Sequence, residues 1–312
     1  MGLGPFDLSE LVRWGVGLHR PEDVAVARDG RVFATDPRHG AREILSDGTL
    51  KTISAANFPG CANGICMDLD NRILIANLGA AERAPGALER LDPLTGRREV
   101  LLSEVDGHPL TSCNYPMVDR AGNIWCSNSI AGATFDGLGD TLPHDGFIFV
   151  LRPDGASSIE AHGLGFANGL AMSADEKHLY CCQSFDSNVI RYPVLPGGKL
   201  GPGEQYGPVL GLTAMPGEQV DRSQLHYPDG CAFDVDGNLW VALFLANKIV
   251  AITPSCELVT LIDDPAREIL DRPANVTFGG SDMKDVYIGG LHTNYVVKLR
   301  SPVAGMKLAH QV

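Results

Sequence analysis

Short apolar runs recur along this chain, and each of them follows a turn. In one unit, the turn Asp234-Val235-Asp236-Gly237 precedes the run Leu239-Trp240-Val241-Ala242. An Asp-Gly pair supplies the positive φ that hairpin turns require, and short apolar runs between turns are typical of buried strands. The pattern occurs six times, in runs that begin at Val32, Ile73, Ile124, Leu179, Leu239 and Val286.

Each run belongs to a larger unit that predicts several short strands. In the fifth unit we expect strands at 230–233, 238–244, 248–253 and 258–262. The first unit predicts strands at 24–27, 31–35, 43–45 and 50–53. Helical periodicity is nearly absent, and only 8–14 and 265–270 predict one or two helical turns each.

Six four-stranded units without helices between them predict an all-β fold, a six-bladed β-propeller with four-stranded blades around a central channel. We expect residues 1–312 to form this one domain. The segment before Pro21 is expected to complete the last blade, whose own strands end near 297–299, because closing the ring protects the edges of the sheets.

An oxygen-bearing side chain lies eight positions before the turn in every unit. These marker residues are Glu22, Asn63, Asn114, Asn168, Asp229 and Asn275, and the turn positions are Gly30, Asn71, Gly122, Glu176, Gly237 and Met283. Because the first strand of each propeller blade lines the axis, we expect the markers to meet in the channel. Buried carboxylates need a partner, and a cation would supply it. Alternatively, Asn63-Gly64 and Asn168-Gly169 are simple turn pairs.

The marker side chains suit a hard metal ion. Carboxylate and amide oxygens are ligands for Ca²⁺, Mg²⁺ or Mn²⁺. The six markers include no histidine, which weakens the case for Zn²⁺. We expect one divalent ion, Ca²⁺, with Mg²⁺, Mn²⁺ and Zn²⁺ as alternatives.

Composition excludes several classes of function. The formal net charge of −13 argues against nucleic acid or an anionic membrane surface as partner. No stretch approaches the roughly 20 apolar residues that span a bilayer, and the first residues do not resemble a signal peptide. The eight cysteines form no Cys-x-x-Cys pairs, so we expect free thiols and a cytoplasmic protein.

Four segments resemble a known family. They are Pro21-Glu22, residues 113–119 around Asn114, residues 167–171 around Asn168, and residues 227–233 around Asp229. Together they are similar to the senescence-marker-protein, gluconolactonase and luciferin-regenerating-enzyme family of six-bladed propellers. The resemblance implies a lactonase whose catalytic divalent metal is held by Glu22, Asn114, Asn168 and Asp229.

Two positions depart from the family pattern. Tyr115 stands where many of these lactonases have Asp, and Ser112 stands where the sugar-recognising members have Arg. The departures favour a more apolar or aromatic pocket mouth over one for a polyhydroxylated aldonolactone.

The resemblance implies that the metal polarises the carbonyl of a lactone or related ester. Asp229 is then metal ligand and general base, and Glu22 is a ligand. We expect the substrate to contact Asn63, Ser112, Tyr115, His226 and Asn275. His226 is either a proton shuttle or a surface histidine, and His144 and His292 are further candidates to reach the pocket. Packing is the expected role of Cys61, Cys113, Trp125 and Trp240.

Two other functions stay open. One is metal-dependent hydrolysis of phosphotriesters or other esters at the same site. The other is a non-catalytic propeller that binds a ligand or protein and leaves Glu22 and Asp229 without a metal. Strictosidine-synthase-like propellers are a further relative, but they lack the full ligand set.

Overall fold

The computed structural model describes residues 3–55, 58–132, 134–136, 142–212 and 226–312. Strands dominate these residues. The only helices in the described ranges are the four-residue α1 (Gly79–Glu82) and 3-10 turns at Leu8–Glu10 and Ala309–Gln311. None of these helices is long and apolar enough to cross a membrane.

The strands form six antiparallel sheets, which are the six predicted blades. β1 (Val12–Trp14) precedes the first of them. Blade one contains β2 (Val24–Val26), β3 (Val32–Asp36), β4 (Gly40–Ile44) and β5 (Leu50–Thr52). Blade two contains β6 (Ala62–Met67), β7 (Ile73–Asn77), β8 (Ala87–Leu91) and β9 (Arg98–Leu102). A small hairpin follows, made of β10 (Glu104–Val105) and β11 (His108–Pro109). Blade three contains β12 (Cys113–Val118), β13 (Ile124–Asn128), β14 (Gly146–Leu151) and β15 (Ser157–Leu164).

The second half of the chain repeats this order. Blade four contains β16 (Ala167–Met172), β17 (His178–Gln183), β18 (Asn188–Leu195), β19 (Lys199–Leu200) and β20 (Glu204–Tyr206). It differs from the four-stranded expectation because both β19 and β20 pair with β18. Blade five contains β21 (Pro228–Phe233), β22 (Leu239–Leu243), β23 (Lys248–Ile252) and β24 (Leu258–Asp263). Blade six contains β25 (Pro273–Gly279), β26 (Asp285–Gly290) and β27 (Val296–Arg300).

The N-terminal strand completes the sixth blade, as expected. β1 pairs antiparallel with β27, with Val12 opposite Lys298 and Trp14 opposite Val296. The two ends of the chain therefore share one sheet, and the ring of blades is closed by hydrogen bonds between them.

The six predicted turns are confirmed by the backbone. The turn residues Gly30, Asn71, Gly122, Glu176, Gly237 and Met283 all have a positive φ, between 56° and 85°. An aspartate supports several of these turns through its side chain. Asp119 Oδ1 accepts the Asn123 amide, and Asp234 Oδ1 accepts the Asn238 amide, each at 2.9 Å.

The core lies between neighbouring blades. Six clusters of buried apolar residues each join two adjacent sheets, and Trp125 and Trp240 are completely buried in two of them. Seven of the eight cysteines are buried free thiols and Cys256 is exposed.

Both helical predictions need correction. Within 8–14 only Leu8–Glu10 forms a 3-10 turn, because the next residues pair with β27 as β1. Residues 265–270 form a loop. The Asp264 carboxylate accepts the backbone N–H groups of Glu268, Ile269 and Leu270, so the loop satisfies its donors without a helix.

The buried indoles yield a stability prediction. Trp125 Nε1 donates to Asp119 Oδ2 at 2.9 Å, and Trp240 Nε1 donates to Asp234 Oδ2 at 3.0 Å. Replacing either tryptophan with phenylalanine should lower the free energy of unfolding by about 2 kcal/mol, because a bond to a buried carboxylate is lost. Trp14→Phe is the control, since that half-buried ring stacks on Tyr287 at 5.3 Å and its indole donates to no described residue. Urea denaturation measures the three values, and equal losses in all three would contradict the prediction.

Candidate functional site

A cavity of about 290 Å³ opens into the channel at one end of the ring. We call it the axial cavity. Its polar lining residues are Arg20, Glu22, Asn63, Asn114, Asn168, Ser184 and Asp229. Its apolar lining residues are Leu78, Phe135, Phe166, Phe185, Tyr227, Phe244 and Leu291. Apart from Arg20 the polar residues are buried, whereas most of the apolar ones are half-buried, so the polar residues form the deep end.

Irregular pairing explains how the marker side chains reach the axis. The first strand of each of blades two to five has a register shift that contains its marker, and in blade six the shift lies just before Asn275, which pairs with Gly289. In β12, for example, pairing with β13 jumps from Cys113 to Pro116 and leaves Asn114 between them. A bulge re-aims a side chain out of the regular alternation of a strand. Four of the six markers, Asn63, Asn114, Asn168 and Asp229, therefore owe their direction to a bulge.

Glycine after a marker lets the innermost strands approach one another. A Cβ on Gly64 would lie 2.5 Å from the Asn114 carbonyl oxygen, and one on Gly169 would lie 2.5 Å from the Gly230 Cα. Both Asn-Gly pairs lie within strands, β6 and β16, so the simple-turn alternative for them is wrong. The glycines are required by the crowding around the axis.

Serine side chains orient two of the amides. Asn114 Nδ2 donates to Ser129 Oγ at 2.8 Å, and that hydroxyl donates to the Ala167 carbonyl at 2.9 Å. Asn168 Nδ2 donates in the same way to Ser184 Oγ at 3.1 Å, and Ser184 Oγ donates to the Pro228 carbonyl at 2.9 Å. Because each hydroxyl donates its hydrogen to a carbonyl, it can only accept a hydrogen bond from the asparagine amide nitrogen. The amide oxygen then stays available to bind another group. The buried Asn114 Oδ1 has no hydrogen-bond partner among the described residues.

Arg20 lies beside Glu22 and was not foreseen from the sequence. Its Nη2 is 2.8 Å from Glu22 Oε2 and 3.1 Å from Asn63 Oδ1, and its Nη1 is 3.3 Å from Cys61 Sγ. Arg20 has a positive φ of 45°, and the Glu22 amide donates back to the Arg20 carbonyl at 2.8 Å. The guanidinium thus enters the cavity from the turn just before the marker.

The electrostatics of the deep end favour a further positive charge. Burial raises the pKa of Asp229 well above its usual range, and the negative charge of Glu22 raises it further. Burial also raises the pKa of Glu22, although Arg20 works in the opposite direction. One guanidinium therefore does not satisfy two buried carboxylates.

The side chain of Asn275 contacts Asp23 and not the markers that line the axial cavity. Its Nδ2 donates to Asp23 Oδ1, and it does not line the axial cavity. Asp23 was also missed by sequence reasoning. Its carboxylate accepts the amides of Val24 and Ile65, each at 2.7 Å, and burial raises its pKa to about 7. This pair links blades one, two and six below the cavity.

Tyr115 and Ser112 do not shape the mouth of the cavity, contrary to expectation. Tyr115 lines a separate cavity of about 50 Å³ toward the other end of the channel, beside the C-terminal residues Met306, Leu308 and His310. Ser112 is completely buried, and its amide donates to Asn128 Oδ1 at 3.0 Å. The bulge between Cys113 and Pro116 accounts for the direction of Tyr115, whereas Ser112 lies before it.

The three candidate histidines are held outside the axial cavity. His226 Nδ1 lies 2.6 Å from the Leu210 carbonyl, and His144 Nε2 lies 2.7 Å from Asp186 Oδ1. His292 is mostly exposed, and partial desolvation together with the nearby Arg272 lowers its pKa. None of the three is among the described lining residues.

The missed cavity residues follow a positional rule. Arg20, Phe166 and Tyr227 each stand two residues before a marker and have a positive φ, of 45°, 62° and 47°. Five more stand 15 to 17 residues after one, where the second strand ends; these are Leu78, Ser184, Phe185, Phe244 and Leu291. Phe135 falls outside this rule, since it lies farther along the chain from Asn114. These separations from the markers are visible in the sequence. They point to cavity residues only once the markers are known to lie on the propeller axis.

The described residues contain no group of three or more His, Cys, Asp or Glu side chains arranged to hold a metal ion. The predicted ligand set has a different composition, since it combines the carboxylates of Glu22 and Asp229 with the amides of Asn114 and Asn168. All four of these side chains line the axial cavity.

Known proteins with similar sequences include two lactonases. A gluconolactonase from Zymomonas mobilis is 27% identical over 267 residues, which cover 83% of this chain and 68% of the relative. A 6-deoxy-6-sulfogluconolactonase from Pseudomonas putida is 29% identical over 268 residues, which cover 85% of this chain and 77% of the relative.

The fold is shared with solved structures. One is a calcium-binding protein, regucalcin, from Agrobacterium tumefaciens, with a TM-score of 0.69 and 15% identity over 95% of this chain and 94% of that one. At the N-terminus, residues 7–37 match a model described as strictosidine synthase-like, N-terminal. Residues 80–292 match the SMP-30/gluconolactonase/LRE-like region. Because that match spans most of its length, the chain belongs to the SMP-30/gluconolactonase/LRE-like family.

Proposed function

We propose that this protein is a lactonase that hydrolyses a lactone, or a related ester, in the axial cavity with one bound divalent cation. The observation that carries the proposal is the convergence of four buried side chains, Glu22, Asn114, Asn168 and Asp229, at the deep end of one cavity. The two relatives named as lactonases, at 27% and 29% identity, support the class of reaction.

The donor set suits a hard divalent cation. Carboxylate and amide oxygens are the ligands that such ions prefer, and two carboxylates balance the charge of one ion. Asn114 Oδ1 is buried without a donor, and the pKa values of Glu22 and Asp229 are raised. A cation would give the Asn114 oxygen a partner and would balance the carboxylate charge that Arg20 alone does not offset. We expect Ca²⁺, with Mg²⁺, Mn²⁺ and Zn²⁺ as alternatives.

When bound, the cation would polarise the lactone carbonyl and stabilise the negative charge that develops on its oxygen. Glu22 is a ligand that Arg20 holds in place. Asp229 is both a ligand and the general base, and it accepts a proton from the attacking water. The ring C–O bond breaks as that proton passes from Asp229 to the ring oxygen, which gives the open hydroxy acid.

The residues around the ligands hold and orient the substrate. Asn63 lines the cavity and keeps its proposed role in substrate binding, whereas Ser112, Tyr115, His226 and Asn275 do not line it. We assign Arg20 to substrate binding as well, because its guanidinium lines the same cavity and contacts the Asn63 amide oxygen at 3.1 Å. The half-buried aromatic residues restrict the access of water to the reacting ester.

Replacing the general base tests the mechanism. Asp229→Asn should lower kcat for lactone hydrolysis about 10²-fold or more, because an amide cannot accept the proton. An amide oxygen remains a ligand, so much of the metal binding should persist, as measured by calorimetry. The control is Asp186→Asn, a carboxylate beside Phe185 that pairs with His144 and does not line the cavity. Full activity in Asp229→Asn would refute the assignment.

Removing the metal tests the cofactor. We expect elemental analysis to find one equivalent of divalent metal, and a chelator to abolish hydrolysis until Ca²⁺, Mg²⁺, Mn²⁺ or Zn²⁺ is restored. Unchanged activity in the metal-free protein would rule out metal dependence. Hydrolysis of phosphotriesters but not of lactones would point to the alternative enzyme, and absence of both metal and activity would favour a propeller that only binds a ligand or protein.

The serine contacts give a sharper test of the ligand set. Ser129→Ala frees the Asn114 amide to rotate, so metal affinity should fall about tenfold, as is usual when a group that orients a ligand is lost. Ser127→Ala is the matched control, since this buried serine accepts the Tyr115 amide at 3.1 Å instead. Equal affinities of the two variants by calorimetry would argue against Asn114 as a ligand.

A further inference from the structure

Four aromatic rings form a continuous wall along one side of the axial cavity. Ring centroids are 5.8 Å apart for Phe135 and Phe166, 5.0 Å for Phe166 and Phe185, and 5.9 Å for Phe185 and Tyr227. We call these four residues the aromatic arc. Phe244, which also lines the cavity, stacks on its other side against Arg272 at 5.2 Å.

The arc is joined directly to the polar end of the cavity. Phe166 lies two residues before Asn168, and Tyr227 lies two residues before Asp229. Phe185 follows Ser184, whose hydroxyl accepts the Asn168 amide. Each of these rings is therefore one or two residues from a proposed ligand or from the group that orients it. A substituent next to a lactone ring at the ligands would contact the arc.

The arc is also packed from behind. Phe185 and Leu142 are each only 5% exposed and form an apolar cluster with Phe166, Tyr227 and Leu245. Rings held in this way provide a preformed apolar surface and do not have to be ordered when a ligand binds.

Most polar groups of the cavity already have a polar partner, and the proposed cation would occupy the Asn114 oxygen and Asp229. Arg20 contacts Glu22 and Asn63, and the amides of Asn114 and Asn168 donate to serines. Hydroxyl groups on a substrate would therefore leave water for a mainly carbon surface, which disfavours binding. Methylene groups on a substrate would gain from the same transfer.

From this arrangement we propose that the preferred substrates are lactones with an apolar alkyl or aryl substituent, which the aromatic arc binds while the lactone ring meets Asp229 and the other polar residues. The inference rests on the proposed lactonase function and specifies its substrate class. The proposed substrates differ from the sugar lactones for which the two relatives are named.

A substrate panel tests the proposal on the metal-loaded protein. The probes are γ-butyrolactone, its γ-alkyl homologues up to hexyl, its γ-phenyl derivative and glucono-δ-lactone. We expect kcat/KM to rise about fourfold for each of the first added methylenes, the value that corresponds to burial of one such group. Glucono-δ-lactone should be the poorest substrate. A preference for glucono-δ-lactone would overturn the substrate class and leave the lactonase function standing, whereas no hydrolysis of any lactone would overturn both.

Variants of the arc test its role directly. Phe166→Gln should lower the ratio of kcat/KM for the hexyl lactone to that for γ-butyrolactone about tenfold, since only the hexyl chain relies on the arc. Phe58→Gln is the control, because Phe58 is half-buried, stacks with Arg98 at 4.8 Å and lies outside the axial cavity. Phe135→Ala at the end of the arc provides a second variant in case Phe166→Gln fails to fold. An unchanged ratio in the folded arc variants would overturn the proposal.

Discussion

The antiparallel pairing of β1 with β27 joins the two ends of the chain in one sheet, and the axial cavity depends on the ring that this pairing closes. The marker residues come from six different blades and are separated by tens of residues in sequence. No local interaction could bring them together. Because each blade packs only on its neighbours through one apolar cluster, the ring positions all six innermost strands at once.

Crowding around the axis then determines which residues can stand there. Glycines at 64 and 169 are needed because the adjacent strand leaves no room for a Cβ. The bulges in the innermost strands turn polar side chains into the channel, where they are buried and each polar atom needs a partner. Serines from the neighbouring strand satisfy the amide nitrogens, and Arg20 partly satisfies Glu22. The Asn114 oxygen without a donor and the carboxylate charge that Arg20 does not balance are the reasons to propose a cation.

The cavity therefore combines two environments over a short distance. Buried oxygens at its deep end suit a metal ion and an ester carbonyl. The aromatic arc nearer the solvent suits an apolar substituent on the substrate. The junction arises because the residues just before Asn168 and Asp229 have a left-handed backbone, which directs Phe166 and Tyr227 to the cavity. The same local geometry before Glu22 introduces Arg20. The same left-handed turn therefore occurs before three markers. It directs an aromatic ring to the cavity at Phe166 and Tyr227, and a positive charge at Arg20.

The sequence by itself determined the number of blades, the six left-handed turns, the closing strand and the marker positions, because hydrophobic periodicity and turn chemistry are local properties of a chain. It also pointed to the four proposed ligands, which line one cavity as the marker pattern requires. Only the tertiary structure decided where the neighbouring side chains point. Tyr115 lies one residue from Asn114, yet a bulge sends the two to different cavities, and Asn275 turns to Asp23 instead of the cavity. Arg20, Ser129 and the aromatic arc act through contacts that form only on folding, and their directions depend on bulges and packing that no periodicity in the sequence records.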